Sequence, residues 1–145
     1  MRDYGDQVCS VARALELVGE RWTLLIVRDA FFGLRRFDEF QRSLGVARNV
    51  LADRLNRLVE AGIFERVPYS EHPPRHEYRL TRKGRDLNVA LTALRQWGDE
   101  YLSRKPPRIL RRRADKQPVV AALVPKGCAA VVPAREVELV PGPGL

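Results

Sequence analysis

The chain has 145 residues, 45% of them apolar and 30% charged, the composition of one ordinary folded domain with at most a small appended piece. No apolar run approaches the roughly 18 residues that a membrane helix needs, and the acidic start MRDYGDQ lacks the basic and apolar regions of a secretory signal, so a cytoplasmic location is expected. The net charge of +8 is uneven, with 18 basic against 15 acidic side chains in residues 1–104 and 8 against 3 in residues 105–145, which favours a polyanionic partner without saying which one.

Val11, Ala12, Leu15 and Val18 recur at spacings of three and four, which predicts a first helix from about Val8 that stops near Gly19. A second helix follows, with Trp22, Leu25, Ile26 and Ala30 on one face and Gly33 beyond its last turn. Arg36 to Leu44 form a third, with Phe37 and Phe40 facing inward, and Gly45 permits a bend because a residue without Cβ tolerates positive φ. The fourth runs from about Arg48 to Ala61. Val50, Leu51, Leu55, Leu58 and Val59 make its buried stripe, Arg48, Asn49, Asp53, Asn56 and Arg57 its other face, and Gly62 its stop. Residues 33–62 thus read as a short helix, a tight bend and a longer amphipathic helix. That is the pattern of a helix-turn-helix, which fits a recognition helix into the DNA major groove.

IFERV and RHEYRL contain residues suited to strands, while the intervening PYSEHPP has prolines suited to a loop, so a β-hairpin wing is expected. Thr81 then caps a last long helix. Its stripe of Leu87, Ala90, Leu91, Leu94, Trp97 and Tyr101 is wider than so small a domain needs for itself, which points to a partner chain. Pro106 and Pro107 end that helix, RILRRRADK is a basic linker, and the remaining stretch is expected to form two or three short, loosely specified strands. The expected fold class is mainly α (α+β): a winged helix-turn-helix with a two-stranded β wing, a long C-terminal dimerisation helix and a short irregular or β-rich tail. Residues 1–104 are expected as the DNA-binding domain and residues 105–145 as a basic linker and short extension.

Five segments stand in one order: Cys9, the block GERWTLLIVRDAFFGLRRFDEF, LADRLNRLVEAG, the wing RVPYSEHPPRHEYRLTRKG and the late LRQWG. In these, over about residues 9–98, the chain resembles the HxlR family of bacterial transcriptional regulators, with its Gly-x-(Lys/Arg)-Trp-Thr block and Arg-Phe-x-Glu-Leu signature. The resemblance implies homodimers that bind an inverted-repeat operator and respond to an electrophile, an oxidant or another small signal. Three positions depart from the pattern. Ala47 stands where the family commonly has a serine N-cap, a loss of about 1 kcal/mol unless Gly45 or a shifted start compensates. His76 replaces an apolar residue of the wing. The tail is similar to an extension in which paired cysteines hold zinc in some members, but only Cys128 is present here.

Arg48 and Asn49 lie in the first turn of the fourth helix, where Arg can bond guanine and Asn adenine, the alternative being a solvated face. Asn56 and Arg57, two turns on, are expected to touch phosphate or nothing, and Asp53 with Arg57 can be a helix pair at spacing four. Arg35 and Arg36 begin the third helix, where backbone N–H groups and charge can meet a phosphate. Arg36 has the alternative of pairing with Glu39. Arg75 sits at or near the wing tip, placed for the minor groove, with Arg82 and Lys83 near the flanking backbone. Val11, Leu15, Leu91, Leu94, Trp97 and Tyr101 are the candidate dimer interface.

Cys9 is the candidate redox or electrophile sensor that the resemblance implies, its other reading being a common small buried residue. With two cysteines 119 positions apart and two isolated histidines, His72 and His76, no disulfide, metal or other cofactor is expected. There is no phosphate-cradling glycine loop, no Gly-x-Ser-x-Gly and no nucleophile beside a histidine, so an enzyme is not expected. The expected function is a transcriptional regulator, a repressor in polarity. Its expected partners are double-stranded DNA, a second copy and a small-molecule or oxidant signal, with no membrane. The competing readings are a winged helix that binds protein, and a nonspecific nucleic-acid binder acting through RILRRR.

Overall fold

In the computed structural model, which describes residues 8–131, 134–138, 140–141 and 143, four helices come first: α1 (Ser10–Val18), α2 (Thr23–Phe31), α3 (Phe37–Leu44) and α4 (Arg48–Glu60). An antiparallel pair follows, β1 (Phe64–Glu71) and β2 (Pro74–Leu80), and then the short α5 (Arg82–Arg85) and the longer α6 (Asn88–Tyr101). The acidic start at residues 1–7 and scattered positions beyond Val131 lie outside the described residues. The architecture is a winged helix-turn-helix of the α+β class. The chain divides between Asn88 and Val89 into two compact units.

In the first unit the core is built from α2 (Ile26, Val27), α3 (Phe40), α4 (Leu51, Leu55, Leu58) and the start of the wing (Ile63, Phe64), all at most 2% exposed. Each such side chain contributes about 1.5–3 kcal/mol by leaving water. Phe40 and Phe64 meet edge to face at 6.2 Å, which fixes the root of β1 against the helix before the bend. The 3–4 spacing of Leu51, Leu55 and Leu58 leaves the opposite face of α4 to polar residues, as the sequence predicts.

Four expectations need correction. Trp22 is not on the inner face of the second helix: it precedes α2 with a left-handed φ of 80°, so the helix begins at Thr23. Thr23, Ile26 and Val27 turn inward together, and Leu25 is exposed. The wing strands run deeper than expected, through Pro68–Glu71 and back from Pro74, leaving only His72 and Pro73 as the link. Both strands of a two-stranded ribbon are edges, so a proline without an N–H is tolerated there, and the ladder shifts register at a bulge between Pro68 and Ser70. The long last helix is two helices: Thr81 Oγ1 accepts from Gly84 N to cap α5, after which a tight Leu87 N to Gly84 O bond breaks the register. Gly84 is also the point of closest approach, since a Cβ there would lie 2.3 Å from the Ile63 carbonyl oxygen. Finally, no strand forms in the tail among the described residues, only a bridge between Arg111 and Pro118 and a 3-10 turn at Ala134–Glu136.

In the second unit the tail is tied to α6 by Gln96, whose side-chain amide donates to Ala121 O at 3.1 Å and accepts from Ala121 N. Arg112 closes the basic loop on Asp115, whose carboxyl is held below its ordinary range by that guanidinium.

Candidate nucleic-acid interface

The bend between α3 and α4 depends on Gly45, left-handed at φ 62°, and delivers Ala47 in an extended conformation as the N-cap of α4. Alanine has no acceptor, so no side chain caps this helix. Instead its first residue, Arg48, reaches back to α3: its guanidinium lies 4.7 Å from the Phe37 ring centre, 3.2 Å from Gln41 Oε1 and 3.4 Å from Asp38 Oδ1. Arg48 and Asp38 nevertheless remain largely in water, so the pair adds little stability. Asn49, next to it, is exposed, and its side chain has no hydrogen-bond partner among the described residues.

Further along α4 the polar face is occupied by contacts within the molecule. Asn56 accepts from Arg66 of β1, and Arg66 in turn lies over the Tyr78 ring. Asp53 pairs with Arg57 at 3.1 Å and with Arg54. Glu20, in the turn before α2, forms ion pairs with Arg54 at 3.0 Å and with Arg57 at 3.6 Å. The Asp53 hydrogen bond, and then the charges of Asp53 and Glu20, push the Arg57 guanidinium above its already high range. The helix pair foreseen for Asp53 and Arg57 is therefore part of a four-residue cluster, in which Arg54 and Glu20 give no signal in the linear pattern.

At the start of α3, Glu39 accepts from the backbone N of both Arg35 and Arg36 at 2.9 Å, and these two bonds hold its carboxyl below the ordinary range. This is half of a capping box, because arginine has no acceptor with which to return the bond. Arg36 is turned to the wing instead: its guanidinium stacks 4.3 Å from the Tyr69 ring centre and lies 3.9 Å from Glu77. Glu77 also holds Arg79 at 3.0 Å. A backbone bond from Tyr78 N to Arg35 O, 2.7 Å long, joins the same two elements. The side chains of Arg35 and, near the wing tip, Arg75 are exposed and have no polar partner among the described residues. Lys83 is bonded through Nζ to Ala61 O at 2.7 Å, over the last carbonyls of α4, and Arg82 beside it is exposed.

Cys9 is the half-buried N-cap of α1, and Cys128 is exposed in the tail. Neither His72 nor His76 belongs to a group of three or more metal-ligand side chains, and no such group occurs among the described residues. Of the residues foreseen as an interface, Val11 and Leu15 are exposed on α1, and Leu94, Trp97 and Tyr101 are 55–69% exposed on α6, while Leu91 is half-buried. Two clefts open on the first unit. One, of about 340 Å³, lies between the end of α2 and the wing root. The other, of about 300 Å³, is lined by Leu17, Glu20 and the Arg54–Arg57 side of α4.

Comparison with known proteins agrees with this geometry. Residues 17–106 match the family described as HxlR-like helix-turn-helix. An uncharacterised HTH-type transcriptional regulator of Mycobacterium tuberculosis is 56% identical over 138 residues, spanning 94% of this chain and 87% of its own length. Among solved structures, PA1607, described as a candidate transcription factor, superposes with a TM-score of 0.81 at 44% identity, covering 93% of this chain and 96% of its own. The redox regulator HypR in its reduced form superposes at 0.60 with 30% identity, covering 63% of this chain and 92% of that one. The family and these relatives are described as transcription regulators. With a bend, an inward-packed α4 and a wing in this order, the chain belongs to the HxlR-like helix-turn-helix family of DNA-binding transcriptional regulators.

Proposed function

We propose that the protein is a homodimeric, sequence-specific repressor that places α4 of each copy in successive major grooves of an inverted-repeat operator. The observation that carries this reading is the start of α4, an uncapped helix N-terminus bearing Arg48 and Asn49 in water. Free N–H groups and a guanidinium favour a phosphate, and Asn49 has both amide atoms available for a base edge. Arg35 and Arg36 at the start of α3 and Arg75 on the wing extend this surface for backbone and minor-groove contact. Asn56, Arg57 and Lys83 contribute through the shape they hold, because their polar groups are already engaged. The exposed apolar side chains of α6 supply the surface for the second copy, and a cytoplasmic location follows from the DNA target.

A signal reaches this machinery through Cys9, whose place at the head of α1 lets oxidation or alkylation disturb the helix start. The support is the redox function in the name of HypR, although Cys9 precedes the interval matched by the family.

The test is retention of a duplex from upstream of the protein's own gene at moderate salt. Arg48→Ala or Asn49→Ala relaxes base preference at one position by about 1–3 kcal/mol, while Arg75→Ala weakens all sequences and lowers the salt slope by about 1. Unchanged affinity in all three contradicts the docking. Diamide releases the duplex from the wild type and not from Cys9→Ser; equal release in both dismisses the thiol.

A further inference from the structure

We propose that the cleft at the root of the wing binds a small apolar carboxylate, and that its occupation opposes DNA binding. The cleft's volume of about 340 Å³ lies at the small end of the roughly 300–1,000 Å³ found for ligand sites. Phe31 and Leu34, from the end of α2 and the loop after it, give an apolar wall. Three arginines, Arg35, Arg79 and Arg85, line it against one acidic residue, Glu65. Two of the three are fixed in place: Arg79 by Glu77 at 3.0 and 3.2 Å, and Arg85 by Leu80 O at 2.9 Å. Each keeps N–H groups beyond those bonds, since a guanidinium has five. The arrangement therefore sets an excess of positive charge beside the Phe31 and Leu34 side chains, which suits a carboxylate with a hydrocarbon body over a neutral or cationic counterpart.

The position gives the site its consequence. The backbone bond from Tyr78 N to Arg35 O joins the helix-turn-helix to the wing, and Tyr78 and Arg35 both line the cleft. Arg35 is also a proposed phosphate contact, so one guanidinium is claimed by both ligands. Antagonism must then be mutual, because coupling between two sites acts equally on both affinities. Binding of the carboxylate stands without the DNA reading, whereas the antagonism rests on it.

Isothermal titration of the full chain with 2-naphthoate and with its neutral analogue 2-naphthamide tests the site. Naphthoate is expected to bind once per chain, at least about tenfold more tightly than the amide, and Arg85→Met to lose about tenfold, the effect of one charge-assisted bond. Ala30→Leu, which fills the cleft from α2, should weaken both compounds, and thermal melts confirm that each variant is folded. No heat from naphthoate, equal affinity for acid and amide, or unchanged binding by a folded Arg85→Met overturns the site. In the second arm, naphthoate at about the wild-type Kd lowers duplex affinity of the wild type, and Arg85→Met needs about tenfold more for the same effect. Naphthoate binding with unaltered duplex affinity overturns the antagonism, while failure of the apoprotein to retain any specific duplex sinks the DNA reading and leaves the titration standing.

Discussion

α4 and α6 are both amphipathic helices of similar length, yet they treat their apolar residues in opposite ways. Leu51, Leu55 and Leu58 of α4 are at most 1% exposed, whereas Leu94, Trp97 and Tyr101 of α6 are more than half exposed. The first helix buries its apolar side in its own unit and keeps a polar face at the surface, whose first turn, Arg48 and Asn49, is exposed. The second leaves an exposed apolar face on which the Trp97 and Tyr101 rings meet at a tilt, 5.5 Å apart, the kind of surface that marks an interaction site. Under the proposed function, this is the division of labour of a regulator that reads DNA with one helix and assembles through another.

Substitutions at equal chemistry break the comparison open. Leu55→Ala should cost about 2–5 kcal/mol of stability through the cavity it leaves, read as a fall in the denaturation midpoint. Gly84→Ala comes next, at about 1–3 kcal/mol, because the added carbon collides with the Ile63 carbonyl, which is backbone and cannot move aside, as well as with the Leu80 side chain. Trp97→Ala, in contrast, should change chain stability by less than about 1 kcal/mol and shift the protein toward a smaller species in sedimentation. A large melting loss without a change in size would mean that Trp97 serves its own chain.

The smallest effect concerns Glu39. Its folded carboxyl titrates below the ordinary value of 4.5, so its stabilisation is complete above that pH and is lost as pH falls through the lower folded value. Most of the group is in water, and after screening Glu39→Gln should cost only about 0.5 kcal/mol at neutral pH. The difference between wild type and variant should vanish in acid.

The helix-turn-helix was legible because its signals are local. A 3–4 apolar spacing marks α4, and Gly45 and Gly62 punctuate it with the left-handed conformations that residues with a Cβ avoid. The order of elements and the exposed face of α6 followed from the same patterning. What escaped were contacts between elements remote in sequence: Arg66 on Asn56, Glu77 between Arg36 and Arg79, and Glu20 against α4. Nothing in a linear pattern says that Arg57 is already paired while Arg75 is open. The wing departs from its sequence pattern because proline signals a loop in a sheet interior, whereas on a two-stranded ribbon every strand is an edge.

Selection of the full chain against a random duplex pool asks whether two copies present α4 to DNA in two-fold register. The expected result is enrichment of an inverted repeat whose half-site centres lie about 10 base pairs apart, and loss of one conserved base per half-site with Asn49→Ala. Recovery of no motif, or of a single unpaired half-site indifferent to Asn49, would contradict it.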